Sequence, residues 1–369
     1  MGPSLHRQGV KRQGMKVLAL IGNKDAVGAV EIYRITLPFT YLNNESDIQC
    51  GWMRVQDARQ AVAQGDMETV FDNDIIVLHR TIAAERDAGE GLIQALRCHN
   101  AKVIYEADDD YSGKHREANS TPGQSWRPYL PYVDAITVTT KPLARWAAEE
   151  SGNRPVHVVP NAIDRAWFSG VAENATRMYP DHLTIMFAGT ATHDQDWEVP
   201  ALALPDLLAK YPNVKVLVVT DPPLPDCFGE MDVEFIPPVR YTQYPALLAQ
   251  ADILCAPLMP DDPFNACKSP IKALEGWCAI RQIGKKVGGC AVVAANHQVY
   301  RGVVQNRHNG LLVGHDPEAW YDALSLLIED KFARRKLQVN GFKDAQRYDI
   351  ATHWRDWARA YHRIAGGST

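Results

Sequence analysis

In FNACKSPIKALEG (264–276), Lys268 and Lys272 bracket Ser269-Pro270, and Glu275 follows three positions after Lys272. Ser caps free helix amides and Pro tolerates the first helical position, so the segment predicts a helix starting at Ser269 with Ile271, Leu274 and Cys278 on its buried side. A helix start carries unpaired amides and partial positive charge, and two lysines make it a seat for a diphosphate. A carboxylate one turn deeper can accept hydrogen bonds from two vicinal ribose hydroxyls. The combination suits a sugar nucleotide. The same residues also fit a capped surface helix whose Lys272–Glu275 pair is solvated and contributes about 0.2–0.5 kcal/mol.

A second constellation is YEADDDYSG (105–113), where Asp108, Asp109 and Asp110 directly follow an apolar run. Asp108 and Asp110 have the spacing of a divalent-ion site. Aspartates at a strand end also simply cap the next turn in solvent. Seven scattered cysteines without a C-x-x-C pair suit free thiols in a reducing compartment and speak against structural zinc. The formal net charge of −5 gives no bulk attraction to nucleic acid or an anionic membrane. The basic start MGPSLHRQGVKRQG has no apolar core behind it, so it is not a secretory signal, and no stretch reaches transmembrane length. A cytoplasmic protein is expected.

The elements that must position these residues follow from the pattern. From Met15 onward, short β-branched runs alternate with longer amphipathic stretches, the pattern of parallel sheets covered by helices. MKVLALIG, DIIVLH, AKVIYEA, AITVTT and PVHVVPN read as strands of one α/β unit, with AERDAGEGLIQALRCH and KPLARWAAEESG as helices between them. LTIMFAG, VKVLVVT, VEFIP, ILCAPL, CAVVAA and GLLVG read as strands of a second. The length of 369 residues fits two domains. The expected division is a flexible segment 1–14, a first domain 15–165, a linker 166–181 that loses periodicity, a second domain 182–345, and a crossover helix and tail 346–369. Ligands of open α/β sheets bind at the carboxyl ends of strands, so the cleft between two facing sheets is the expected site.

The ordered pieces AKVIYEADDDYS, VDAITVTTKPLARWA with VHVVPNAID, LTIMFAGTATHDQDW, YPALLAQADILCAPL, FNACKSPIKALEG and NGLLVGHDPEAWYDALSLLIED resemble the group-1-like retaining glycosyltransferases of GT-B fold over about residues 15–360. The resemblance implies two Rossmann-like domains facing a central cleft, with a C-terminal helix crossing back to the first. It implies transfer of a hexose from a nucleoside-diphosphate sugar to an unidentified hydroxyl acceptor, without metal or organic cofactor. The family's paired glutamates, with seven residues between them, would fall on Cys267 and Glu275, so the first carboxylate is missing. By the same resemblance Glu275 would hold the ribose, and Lys268, Lys272 and the Ser269 amide the diphosphate. Gly189 and Thr190 would form the phosphate-side loop, which lacks the family's basic residue and has His193 nearby instead. Arg240 would lie where the nucleobase is read, and Gly28 would let the first loop approach the phosphates.

On the acceptor side, Arg80 and Lys141 follow strands and could meet an acceptor or phosphate, or simply act as a surface ion-pair partner and a helix start. His193 could donate to a phosphate or sugar, or be an exposed loop residue. For the three aspartates a third reading then opens: one of them binds acceptor hydroxyls or stabilises positive charge at the reacting sugar carbon. Two alternatives to the transferase are a non-catalytic GT-B protein that binds a sugar nucleotide or glycan, which Cys267 favours, and a phage-type enzyme glycosylating modified DNA bases. The acidic total weighs against the latter, which would need salt-dependent duplex binding.

Overall fold

The computed structural model describes residues 14–22, 28–66, 70–80, 96, 101–110, 130–152, 154–190, 193–283 and 285–366. The helix expected in AERDAGEGLIQALRCH lies outside these except for Leu96, as do the first thirteen residues of the expected N-terminal segment.

The first domain is a parallel sheet of β1 (Lys16–Ile21), β2 (Gln49–Arg54), β3 (Ile75–His79), β4 (Lys102–Ala107), β5 (Ala135–Val138) and β6 (Val156–Val158), in the order β2-β1-β3-β4-β5-β6. β1, β3, β4 and β5 are almost wholly buried, which is why their sequences are continuous apolar runs rather than alternating ones. The second domain holds β7 (Leu183–Ala188), β8 (Val214–Val219), β9 (Val233–Ile236), β10 (Ile253–Ala256), β13 (Ala291–Ala295) and β14 (Gly310–Val313), in the order β14-β13-β10-β7-β8-β9. A small antiparallel hairpin, β11 (Arg281–Ile283) with β12 (Lys286–Gly288), lies beside it.

Strand order decides where ligands go. In the second sheet, β7 has β8 and β9 on one side and β10, β13 and β14 on the other, so the order reverses between β7 and β10. The loops after those two strands part at that point and leave a crevice. The corresponding point in the first sheet lies between β1 and β3. Residues after β1, β3, β7 and β10 are therefore the ones each fold exposes to a ligand.

The stretch expected as a linker contains a helix, Arg165–Glu173, capped by the Asp164 side chain on the Trp167 amide at 2.9 Å. Its Phe168 is fully buried in the core of the second domain. The C-terminal helix Ile350–Ile364 crosses to the first domain as expected. Ile350, Trp354, Trp357 and Tyr361 line one helical face and pack with Val17, Ala19, Ile35 and Phe39. Each fully buried side chain of this size stabilises the docking by roughly 1.5–3 kcal/mol. Reciprocal backbone bonds at 3.0 Å, Ile163 to Tyr348 and Ile350 to Ile163, tie both crossings together.

Candidate active site in the interdomain cleft

The helix of the second domain that follows Lys268 and carries Lys272 runs from Ile271 to Cys278, with Pro270 rather than Ser269 in the capping position. The expected Ser269 cap is not made. The Ser269 hydroxyl instead accepts a hydrogen bond from the Asn161 amide of the first domain at 2.9 Å, a tertiary partner that replaces the local one. Leu274 and Cys278 are buried as expected, and Ile271 is half-buried.

Lys272 reaches back to donate to the Ala188 carbonyl at the end of β7. Burial and the neighbouring Lys268, opposed by Glu275, lower its ammonium to about 8. Lys268 lies half-buried over the Phe264 ring, its Nζ 4.7 Å from the ring centre. Glu275 is buried and is not part of a solvated pair with Lys272. Its Oε1 accepts from the Tyr33 hydroxyl of the first domain at 2.6 Å, and Tyr244 lies close enough to influence the carboxylate. Burial raises the Glu275 carboxyl, while Tyr33, Lys272 and Tyr244 offset part of that rise. Tyr33 meets Tyr241 edge to face at 5.4 Å, and Tyr241 stacks on Trp167 at 5.2 Å, so an aromatic wall surrounds the carboxylate.

Cys267 is fully buried, and it packs into the core of the first domain rather than that of its own. Its carbonyl accepts from the Thr140 hydroxyl at 2.8 Å. Burial, with Asp110 and Asp109 nearby, pushes its thiol up to about 12, so it stays a neutral, apolar contact. The position that would carry a second carboxylate is thus used to join the domains.

The acidic loop faces this junction. Asp110 is 3% exposed, whereas Asp108 and Asp109 are half-buried. Burial raises the Asp109 carboxyl to about 6, against the attraction of Lys268 across the cleft. Asp109 therefore feels the positive charge of a lysine on the opposite domain. Asp108 lies 3.9 Å from the Arg80 Nε, and its carbonyl accepts from Thr139. Among the described residues no three His, Cys, Asp or Glu side chains come together as metal ligands.

Arg80 adopts a left-handed backbone (φ 54°) just after β3, with its guanidinium 4.0 Å from the Glu31 carboxylate. Lys141 is exposed at the start of helix Lys141–Ser151, where Thr140 is the cap. Gly28 precedes the helical turn Ala29–Glu31 with ordinary φ, and a Cβ there would come 2.6 Å from the Glu31 carboxylate. Arg240 is exposed after β9, its carbonyl accepting from the amides of Gln243 and Tyr244. Thr190 is exposed at the end of β7, and its carbonyl accepts from the His193 amide at 3.0 Å.

His193 is not an exposed loop residue: it is 8% exposed and donates or accepts through Nδ1 to Asp196 Oδ2 at 2.8 Å. A Cβ on Gly189 would come 2.8 Å from the His193 ring, so only glycine fits there. Asp196 itself, missed by motif reading, accepts at Oδ1 from the Asn265 amide (2.6 Å) and the Met259 backbone (2.8 Å). A second group missed in the sequence is Arg34. Fully buried, it pairs with Glu106 at 2.7 Å, bonds the Val159 carbonyl, and lies over Trp357. Glu106 immediately precedes the acidic loop's Ala107-Asp108, so this pair anchors the loop. Only the alternation of VEIYRI, where a charge interrupts an apolar run, could have signalled it.

Taken together, a basic helix start and a buried carboxylate of one Rossmann-like sheet oppose an acidic strand end of another across a cleft, which is the arrangement of a GT-B protein. Residues 182–330, the second domain, match the family model described as Glycosyl transferases group 1. The chain is 25% identical over 248 residues to a phosphatidyl-myo-inositol mannosyltransferase of Mycolicibacterium smegmatis, covering 65% of this chain and 60% of that relative's length. In fold it is similar to Anabaena Alr3699/HepE solved with UDP-glucose, with a TM-score of 0.62 at 16% identity over 95% of this chain and all (100%) of that one. It is also similar to a glycosyltransferase from Rickettsia africae, with a TM-score of 0.65 at 14% identity over 96% of this chain and 100% of that one. The second domain thus matches the group-1 glycosyltransferase family, and the chain as a whole has the GT-B fold. Among the described residues no helix is long and apolar enough to cross a membrane.

Proposed function

We propose that this protein transfers a hexose from a nucleoside-diphosphate sugar to a hydroxyl acceptor, with retention of anomeric configuration and without a metal ion. The observation that carries this reading is that Lys272 and Glu275 on one helix, with Lys268 just before it, lie at the switch point between β7 and β10. Lysines and helix dipole neutralise the diphosphate as it leaves, the work a metal would otherwise do. Glu275 takes the ribose hydroxyls, exchanging the Tyr33 hydroxyl for them. Asp109, opposite Lys268, stabilises positive charge on the sugar carbon as the bond to phosphate breaks. The acceptor oxygen attacks from the same face, and its proton passes to the leaving phosphate oxygen, so no side-chain base is needed. The UDP-glucose bound by the Anabaena protein supports a nucleotide-sugar donor.

The test is a thermal-shift panel of nucleotide sugars, followed by turnover of any binder with and without EDTA and NMR of the product anomer. A bound donor stabilises the fold in proportion to its occupancy. Absence of any shift, an inverted product or loss of turnover in EDTA would each sink part of the proposal. A second reading, a sugar-nucleotide binder without transfer, is supported by Cys267 being committed to the domain junction. It predicts thermal shifts but no donor turnover by wild type.

A further inference from the structure

Resting on that reading, we propose that Asp196 is a positioning residue that presents His193 to the donor sugar as a hydrogen-bond acceptor. The geometry confines the imidazole on three sides. Nδ1 meets Asp196 Oδ2 at 2.8 Å, the Cδ2 edge abuts Gly189, and one face lies nearly parallel to Trp197 (14°, centres 6.3 Å apart). Nε2 has no hydrogen-bond partner among the described residues, and the ring sits directly after β7, at the switch-point crevice.

Which nitrogen holds the proton follows from the surrounding charges. Burial opposes ionisation of Asp196, yet the bonds from His193 and the Met259 amide hold its carboxyl below the ordinary range. An ionised carboxylate accepts only, so Nδ1 carries the hydrogen. Burial, then Lys268 and Lys272, push His193 well below its ordinary value against the pull of Asp196, so the ring is neutral. A neutral imidazole protonated at Nδ1 has a lone pair at Nε2. It cannot donate to a phosphate oxygen, but it accepts from a sugar hydroxyl.

Asp196→Asn offers an unusually clean test. The Asn265 amide and the Met259 N–H both donate to the same oxygen, Oδ1. They hold the new carbonyl in place, so its NH2 faces His193 Nδ1 and forces the ring hydrogen onto Nε2. Histidine ¹⁵N spectra at pH 7 are expected to show Nε2 unprotonated in wild type and protonated in Asp196→Asn. A protonated Nε2 in wild type overturns the proposal.

Titrations use UDP against UDP-glucose and GDP against GDP-mannose. For the pair that wild type binds, His193→Ala and Asp196→Asn should each weaken the sugar nucleotide about tenfold, the loss of one hydrogen bond. Affinity for the free nucleoside diphosphate should stay unchanged, which also reports that the variants are folded. An equal loss for the free diphosphate means His193 reads phosphate, and no loss for either means it reads nothing; both overturn the inference. Failure of the underlying donor site would look different, since wild type would then bind none of the four nucleotides.

Discussion

The two cleft faces are built on nearly the same six-stranded parallel scaffold and carry opposite charge. The second domain presents Lys268 and Lys272 at a helix start, while the first presents Asp108, Asp109 and Asp110 at the end of β4. They also differ in what holds them. The lysines are placed by a local helix against β7, whereas the acidic loop hangs on a buried ion pair, Arg34–Glu106, from an element more than seventy residues away. The lesson is that the scaffold fixes where a ligand can lie, and the residues just past each strand decide its charge.

The largest expected effect breaks the first face. Arg34→Ala leaves Glu106 buried without its partner, and truncating one side of such a pair costs about 3–5 kcal/mol. Urea unfolding monitored by Trp fluorescence should show this loss, and an unchanged midpoint would mean the pair does not anchor the loop.

The next breaks the second face. Glu275→Gln should weaken nucleotide binding by about 1.5–3 kcal/mol, the worth of hydrogen bonds to a charged group. Calorimetric titration with UDP or GDP, whichever wild type binds, measures it.

Varying pH separates the faces. Asp109, raised to about 6, is protonated and neutral below that value, so turnover should fall as pH drops through 6. Lys272, lowered to about 8, loses its charge above that value, so nucleotide affinity should fall as pH rises through 8. Asp109→Asn should remove the acid limb of the turnover profile and leave the alkaline limb of binding; persistence of the acid limb assigns it elsewhere.

The smallest effect concerns the joint between the faces. Tyr33→Phe removes the cross-cleft bond to Glu275 and should cost about 0.5–1.5 kcal/mol of stability. It also frees the carboxylate, so nucleotide affinity should rise slightly. A fall in affinity would show that Tyr33 helps hold the ligand.

Much of the scaffold was legible in sequence because buried parallel strands are continuous apolar runs. β2 leaves little mark in the sequence, since QCGWMR is an edge strand, largely exposed and without an apolar run. The helix Arg165–Glu173 overlaps the expected linker because Gly170 and Asn174 dilute its pattern, although Trp167 and Phe168 pack firmly. At the site, the residue types at Lys268, Lys272, Glu275 and the aspartates announced charge chemistry. The Ser269 cap was a sound local inference that Asn161 overrode from another domain.

The sequence by itself determined two α/β sheets, the helix that carries Lys272 and Glu275, and the absence of a carboxylate at Cys267, because these depend on periodicity and residue type within short windows. Only the tertiary structure decided that Cys267 sits in the other domain's core, that Tyr33 covers Glu275, that Asp109 feels the charge of Lys268, and that Asp196 holds His193. Those depend on contacts between residues far apart in the chain, and on burial, which sets the charge of an ionisable group and leaves no mark in its local sequence.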